Sequence, residues 1–83
     1  MRKVVFYGLS TCGWCKRTKK FLDRNAVEYE LIYVDLLEGE EKQAALDDVR
    51  QWNSRVSFPT VVVDDNVVVI GYREDRLREV LGL

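Results

Sequence analysis

The stretch Ser10-Thr11-Cys12-Gly13-Trp14-Cys15-Lys16-Arg17 contains both cysteines of the chain, separated by two residues. A continuous apolar run precedes it, and a lysine-rich segment with helical spacing follows it. This spacing brings the two sulfurs within reach of one another in a small disulfide ring that opens and closes reversibly. We therefore interpret Cys12 and Cys15 as a dithiol redox site.

The position of the pair at the start of a helix predicts different roles for the two cysteines. A helix N-terminus presents unpaired backbone N–H groups and a partial positive charge, which favour thiolate over thiol at Cys12. Lys16 and Arg17 add to this field. Cys12 is thus the predicted nucleophile. Cys15, about one turn later, is expected to be buried and to resolve the mixed disulfide that Cys12 forms with a substrate.

Two other interpretations of a C-x-x-C pair have less support. Structural zinc has four N, S or O ligands, and this chain has no histidine and no third cysteine. A structural disulfide is typical of short secreted chains with several cysteine pairs, and a two-residue loop stabilises a fold only weakly. We expect no metal site and no tightly bound cofactor beyond the redox-active disulfide itself.

The composition indicates an ordinary globular protein of 83 residues, with 47% hydrophobic residues and a formal charge of −1. These values argue against a disordered chain and against a basic nucleic-acid binder. Arg2 and Lys3 precede an apolar run, Val4 to Tyr7, that is too short for a signal-peptide core, and no stretch is long enough to span a membrane. We expect a single domain over residues 1–83, monomeric and cytoplasmic, with no membrane partner.

The hydrophobic spacing predicts the order β-α-β-α-β-β-α. The predicted strands are Lys3 to Tyr7, Val27 to Asp35, Ser57 to Val63 and Val67 to Ile70, and the predicted helices run from Cys12 or Gly13 to Asn25, from Glu38 to Asn53, and from Glu74 or Asp75 onward. Thr11 is the expected cap of the first helix. The inward faces are expected to carry Cys15, Thr18, Phe21 and Leu22 on the first helix, Ala45, Leu46, Val49 and Trp52 on the second, and Leu77, Val80 and Leu81 on the third.

Three motifs together resemble the glutaredoxin family of the thioredoxin fold: the Cys-Gly-Trp-Cys site after the first strand, Phe58-Pro59-Thr60 opening a hairpin, and Gly71-Tyr72 before the last helix. The resemblance covers essentially the whole chain. It implies an α/β fold with a central mixed four-stranded sheet flanked by three helices. It also implies that Pro59 follows a cis peptide bond, which is uncommon in general, and faces the dithiol. The backbone of Phe58 would then be free to pair with a bound peptide or glutathione.

The resemblance implies a thiol–disulfide oxidoreductase that reduces protein or low-molecular-weight disulfides, with glutathione or thioredoxin reductase as the electron donor. Residues expected to contact the substrate are Thr11, Trp14, Lys16, Phe58, Pro59, Gly71 and Tyr72. Two alternatives stay open. One is an iron–sulfur carrier, in which Cys12 from two protomers and glutathione hold a shared [2Fe–2S] cluster, as in some glutaredoxins with a glycine at the position of Gly13. The other is a non-catalytic module that docks a peptide beside Pro59.

Two positions depart from the pattern of glutathione-using glutaredoxins. Those proteins usually place a lysine three residues before the first cysteine, where this chain has Leu9. They also carry paired glycines before the last helix, whereas Gly71-Tyr72-Arg73-Glu74-Asp75 is more similar to the Gly-Phe-Arg-x-Asp pattern of the NrdH-redoxins, which are reduced by thioredoxin reductase. Tyr72 is expected to crowd an arm of glutathione, while Arg55 and Lys16 are candidates to contact its carboxylates.

Overall fold

A computed structural model describes residues 2–83 of the chain. The elements are β1 (Val4–Gly8), α1 (Gly13–Arg24), β2 (Glu30–Tyr33), α2 (Gly39–Trp52), β3 (Thr60–Val63), β4 (Val67–Ile70) and α3 (Glu74–Leu81), with one turn of 3₁₀ helix at Val34–Leu36 after β2. The predicted element order is confirmed. Among the described helices, none combines the length and apolar character that a membrane crossing requires.

The four strands form one mixed sheet in the order β2-β1-β3-β4. β1 is parallel to β2 and antiparallel to β3, and β3 is antiparallel to β4. In the central pair, Tyr7 lies opposite Thr60. This arrangement confirms the mixed four-stranded sheet and brings the carboxyl ends of β1 and β2 to the same edge as the start of β3.

β1 is buried along its whole length because helices cover both faces of the sheet. Val4 and Phe6 face the core that α1 and α3 contribute to. Val5 and Tyr7 face the second core, which α2 covers. A strand buried on both sides has no polar face, and this explains the continuous apolar run in the sequence.

The helices bury the faces that their spacing predicts. On α1, Cys15, Thr18, Phe21 and Leu22 are all buried. On α3, Leu77 and Leu81 are buried and Val80 is partly buried. On α2, Ala45 and Val49 are buried, while Leu46 and Trp52 pack at the border of the core. Trp52 therefore takes the core-packing role that was expected.

Two strands are shorter than predicted. β2 begins at Glu30 rather than Val27, because the chain leaves α1 through Ala26 in the left-handed region (φ 55°) and needs several residues to reach the sheet. Asp35, predicted within β2, lies in the 3₁₀ turn after it. β3 begins at Thr60 rather than Ser57. Pro59 has no N–H to donate to a neighbouring strand, so regular pairing starts one residue later.

We predict that Leu77→Ala lowers the free energy of unfolding by about 2–5 kcal/mol, because a leucine in a close-packed core leaves a cavity when it is truncated. Leu77 is 0% exposed, whereas Leu36 is 64% exposed. Leu36→Ala is therefore the matched control, with an expected change within about 0.5 kcal/mol. Urea unfolding followed by circular dichroism measures both values. Equal losses for the two variants would contradict this description of the core.

Candidate active site

The sulfur of Cys12 is the N-terminal cap of α1. Cys12 has extended backbone angles (φ −87°, ψ 121°), and its Sγ accepts a hydrogen bond from the backbone N–H of Cys15 at 3.2 Å. The expectation that Thr11 caps this helix is wrong, because the sulfur occupies the place that a serine or threonine oxygen takes in other helices. Thr11 lies in the preceding turn and is exposed.

This capping bond fixes the sulfur of Cys12 at the N-terminal end of α1. Cys12 is partly exposed, so a disulfide in solution can reach its sulfur. The geometry therefore supports Cys12 as the attacking thiol.

Cys15 lies in a different environment, as predicted. Its side chain is 2% exposed, and burial, followed by the hydrogen bond with Cys12, raises the pKa of its thiol to about 12. Gly8, the last residue of β1, lies next to it. A Cβ at Gly8 would be at ordinary van der Waals distance from the Cys15 Sγ, 3.5 Å, but only 3.1 Å from the Phe6 ring, which would have to shift slightly.

A carboxylate that the sequence did not single out holds the loop before the cysteines. Asp35 accepts the Ser10 backbone N–H at 2.9 Å on one oxygen and the Ser10 hydroxyl on the other. Hydrogen bonds from the Ser10 hydroxyl and then its N–H lower the pKa of Asp35. A signal for this contact exists in the sequence: an acidic residue follows β2, and the carboxyl ends of parallel strands share one edge of a sheet.

Pro59 immediately precedes β3, whose first residue, Thr60, lies opposite Tyr7 near the carboxyl end of β1. Gly8, the last residue of β1, lies near Cys15, and the expectation that Pro59 faces the dithiol stays a prediction. The Phe58–Pro59 peptide bond is cis, as the family resemblance implied. The carbonyl of Pro59 accepts the Gly71 N–H at 2.8 Å. Among residues 2–83, no hydrogen bond involves the backbone N–H or C=O of Phe58.

The side chains of Trp14 and Tyr72 form an aromatic surface on the α3 side of the dithiol. Trp14 is 57% exposed and stacks on Tyr72, with ring centroids 6.1 Å apart and an interplanar angle of 24°. The Arg17 guanidinium lies over the Trp14 ring, 5.0 Å from its centroid. Tyr72 also meets the buried Phe21 edge-on at 6.4 Å. This aromatic surface therefore contacts the core through Tyr72 and has a positive charge beside Trp14.

The remaining predicted contacts are more dispersed. Thr11 and Lys16 are exposed, and within residues 2–83 neither side chain is hydrogen-bonded to another predicted site residue. Arg55 is exposed in the loop before Pro59. Leu9 packs against the core that α2 covers, and its carbonyl accepts the Cys12 N–H at 3.1 Å. The roles of Thr11, Lys16 and Arg55 in substrate binding stay predictions.

The family model for glutaredoxin matches residues 4–68, which include both cysteines and Pro59. The chain belongs to the glutaredoxin family. The glutaredoxin of Methanosarcina mazei Go1 is 48% identical and superimposes with a TM-score of 0.93, over 98% of this chain and 79% of that one. Methanosarcina acetivorans methanoredoxin is 49% identical, with a TM-score of 0.94, over 98% of this chain and 85% of that one.

A phage relative extends the similarity. Gene 56 protein of Mycobacterium phage D29 is 32% identical over 78 residues, which are 94% of this chain and 81% of the phage protein. The family and its fold support a function of the thiol–disulfide oxidoreductase type in this glutaredoxin. The two neighbouring cysteines agree with such a role.

We predict that iodoacetamide alkylates Cys12 alone in the reduced, folded glutaredoxin at pH 8. Only a thiolate reacts, and a pKa of about 12 for Cys15 in place of its ordinary 9.0 makes its thiolate fraction roughly a thousandfold smaller. Raising the pH from 8 toward 12 should progressively ionise Cys15 and so increase its rate of alkylation. Peptide mapping by mass spectrometry measures the labelling, and protein denatured in guanidinium is the control, with both cysteines modified. Rapid double labelling of the folded protein at pH 8 would contradict the prediction.

Proposed function

We propose that this glutaredoxin reduces disulfides of proteins or small molecules through the dithiol Cys12–Cys15. The observation that carries the proposal is the capping bond. The Cys12 sulfur, partly exposed, accepts the N–H of Cys15, whose own sulfur is buried one turn into the helix. One sulfur is thus accessible and the other is protected, as a two-step exchange requires.

In the first step, the Cys12 thiolate attacks one sulfur of the substrate disulfide. A new S–S bond joins Cys12 to that half of the substrate, the original S–S bond breaks, and the other half leaves as a thiolate that takes a proton from water. Sulfur exchange of this kind needs no general base once the attacking thiol is ionised, so the lack of histidine in the chain is no obstacle.

In the second step, Cys15 loses its proton and attacks the sulfur of Cys12. The Cys12–Cys15 disulfide forms, the mixed disulfide breaks, and the bound half of the substrate leaves as a thiol after it takes up a proton. Two of the causes that raise the pKa of Cys15 are its hydrogen bond with Cys12 and the charge of Cys12. Both disappear once Cys12 is in a mixed disulfide. Cys15 therefore becomes easier to ionise at the step that needs its thiolate.

The substrate is expected to bind along Phe58. The free backbone groups of Phe58 can pair with the main chain around the substrate cysteine, which gives binding with little dependence on sequence. The Trp14–Tyr72 stack is the proposed aromatic contact for the substrate. Further proposed contacts are Lys16, Thr11 and Gly71.

The oxidised protein must regain two electrons from an external donor, either glutathione or thioredoxin reductase. Two features favour the reductase. Leu9 packs into the core where glutathione-using relatives present a lysine, and Tyr72 is fixed between Trp14 and Phe21 where they have a glycine. We propose the cytoplasm as the site of action, because such reductants maintain dithiols there.

We predict that Cys12→Ser abolishes disulfide reduction, because it removes the nucleophile. Cys15→Ser is the matched variant, and it should accumulate a covalent adduct with a disulfide substrate because no second thiol releases it. Intact-mass spectrometry after mixing with an oxidised peptide detects the adduct. A Cys15→Ser protein that loses activity without trapping any adduct would contradict the resolving role of Cys15.

The donor is identified by parallel assays of NADPH consumption, one with glutathione and glutathione reductase and one with thioredoxin reductase. We expect faster turnover with thioredoxin reductase. Fast turnover with glutathione alone would show that Leu9 and Tyr72 do not restrict the donor. The iron–sulfur alternative predicts instead a coloured, glutathione-dependent dimer, which absorbance spectra and size-exclusion chromatography would detect.

A further inference from the structure

Asn53, the residue that ends α2, is a buried amide that bonds several parts of the loop before Pro59. It is 4% exposed. Its Nδ2 lies within hydrogen-bond distance of the Ser57 carbonyl (3.2 Å), the Ser57 hydroxyl (2.9 Å) and the Thr60 hydroxyl (3.2 Å). Its Oδ1 accepts the backbone N–H of Arg55 at 3.2 Å. One side chain therefore holds the beginning and the end of the loop together.

The loop held by Asn53 contains an unfavourable backbone conformation. Val56 lies in the left-handed region with φ 51°, which is sterically disfavoured for a β-branched residue. Its N–H donates to the Asn53 carbonyl at 2.9 Å. The loop thus takes this path because the polar contacts around Asn53 outweigh the local preference of the chain.

The contacts of Asn53 fall on both sides of the proposed substrate-binding segment. Ser57 precedes Phe58, and Thr60 follows Pro59. The Thr60 hydroxyl also donates to the Ser57 carbonyl at 2.7 Å, which completes a closed set of bonds among Asn53, Ser57 and Thr60. The direction of the free Phe58 backbone groups is therefore set by Asn53 from the interior of the protein.

We propose that Asn53 is a positioning residue for substrate binding. It aligns the backbone of Phe58 with the main chain of the disulfide substrate, and it does not touch either reacting sulfur. Cys12 is held separately, by its capping bond and by the loop that Asp35 anchors, and these groups share no hydrogen bond with Asn53 among residues 2–83. This inference rests on the proposed function and adds a residue that sets the substrate's affinity.

The test uses Asn53→Asp, which keeps the shape and the acceptor for Arg55 but loses both donor hydrogens. Asn25→Asp is the matched control. Asn25 also follows a helix and donates its amide to a backbone carbonyl, that of Phe21 at 2.8 Å, but it is at the end of α1 away from the dithiol. Both changes are made in the Cys15→Ser protein, so that each molecule reacts once.

The reaction measured is adduct formation between Cys12 and a short peptide whose single cysteine is joined by a disulfide to 2-thio-5-nitrobenzoate. The absorbance of the released 2-thio-5-nitrobenzoate thiolate gives its rate. We expect Asn53→Asp to raise the half-saturating peptide concentration about tenfold, with the maximal rate changed less than twofold. The rate of Cys12 alkylation by iodoacetamide, which needs no contact with Phe58, should be unchanged. Asn25→Asp should change none of the three values.

An unchanged half-saturating concentration in folded Asn53→Asp, or an equal loss in the maximal rate and in alkylation, would overturn the inference. If Asn53→Asp is unfolded at the assay temperature, Thr60→Val removes the contact of the Thr60 hydroxyl with Asn53 and its bond to the Ser57 carbonyl, and it is expected to raise the half-saturating concentration in the same direction. If the Cys15→Ser protein with Asn53 intact forms no adduct, this result would instead refute the proposed function on which the inference rests.

Discussion

The hydrogen bond from the Cys15 N–H to the Cys12 sulfur caps α1 and fixes the start of the helix that carries both thiols. The capping sulfur of Cys12 is partly exposed, and Cys15, one turn into the helix, is buried. Burial, followed by the side-chain hydrogen bond with Cys12, raises the pKa of the Cys15 thiol, whereas the sulfur of Cys12 is partly exposed. The two thiols therefore lie in different environments although they are one helical turn apart, and the proposed sequential exchange uses this difference.

The site needs two loops to meet at one edge of the sheet, and each loop has its own polar anchor. Asp35 fixes the loop that leads into Cys12, through Ser10. Asn53 fixes the loop that carries the cis proline, through Ser57 and Thr60. The strands supply the common frame, because their register brings the start of β3 beside the end of β1. The two loops are therefore held by separate sets of hydrogen bonds.

The departures from glutathione-using relatives have physical consequences in the structure. Leu9 packs against the hydrophobic core that α2 covers. This position therefore contributes apolar contacts, whereas a lysine would contribute a positive charge. The Tyr72 ring stacks on Trp14 and contacts the buried Phe21 ring edge-on. Leu9 thus adds apolar packing on the α2 side of the sheet, and Tyr72 adds an aromatic ring beside Trp14 at the start of α3. One positive charge lies next to these rings, because the Arg17 guanidinium is positioned over the Trp14 ring.

The sequence by itself determined the element order, the buried faces of the helices and the different environments of Cys12 and Cys15, because each depends on local spacing and on the start of one helix. Tertiary structure alone decided the cap, since the backbone angles of Cys12 displaced Thr11 from that role. It also decided the partners of Ser10 and Asn53. Asp35 lies 25 residues from Ser10, and only the parallel pairing of β1 with β2 brings such distant groups into contact.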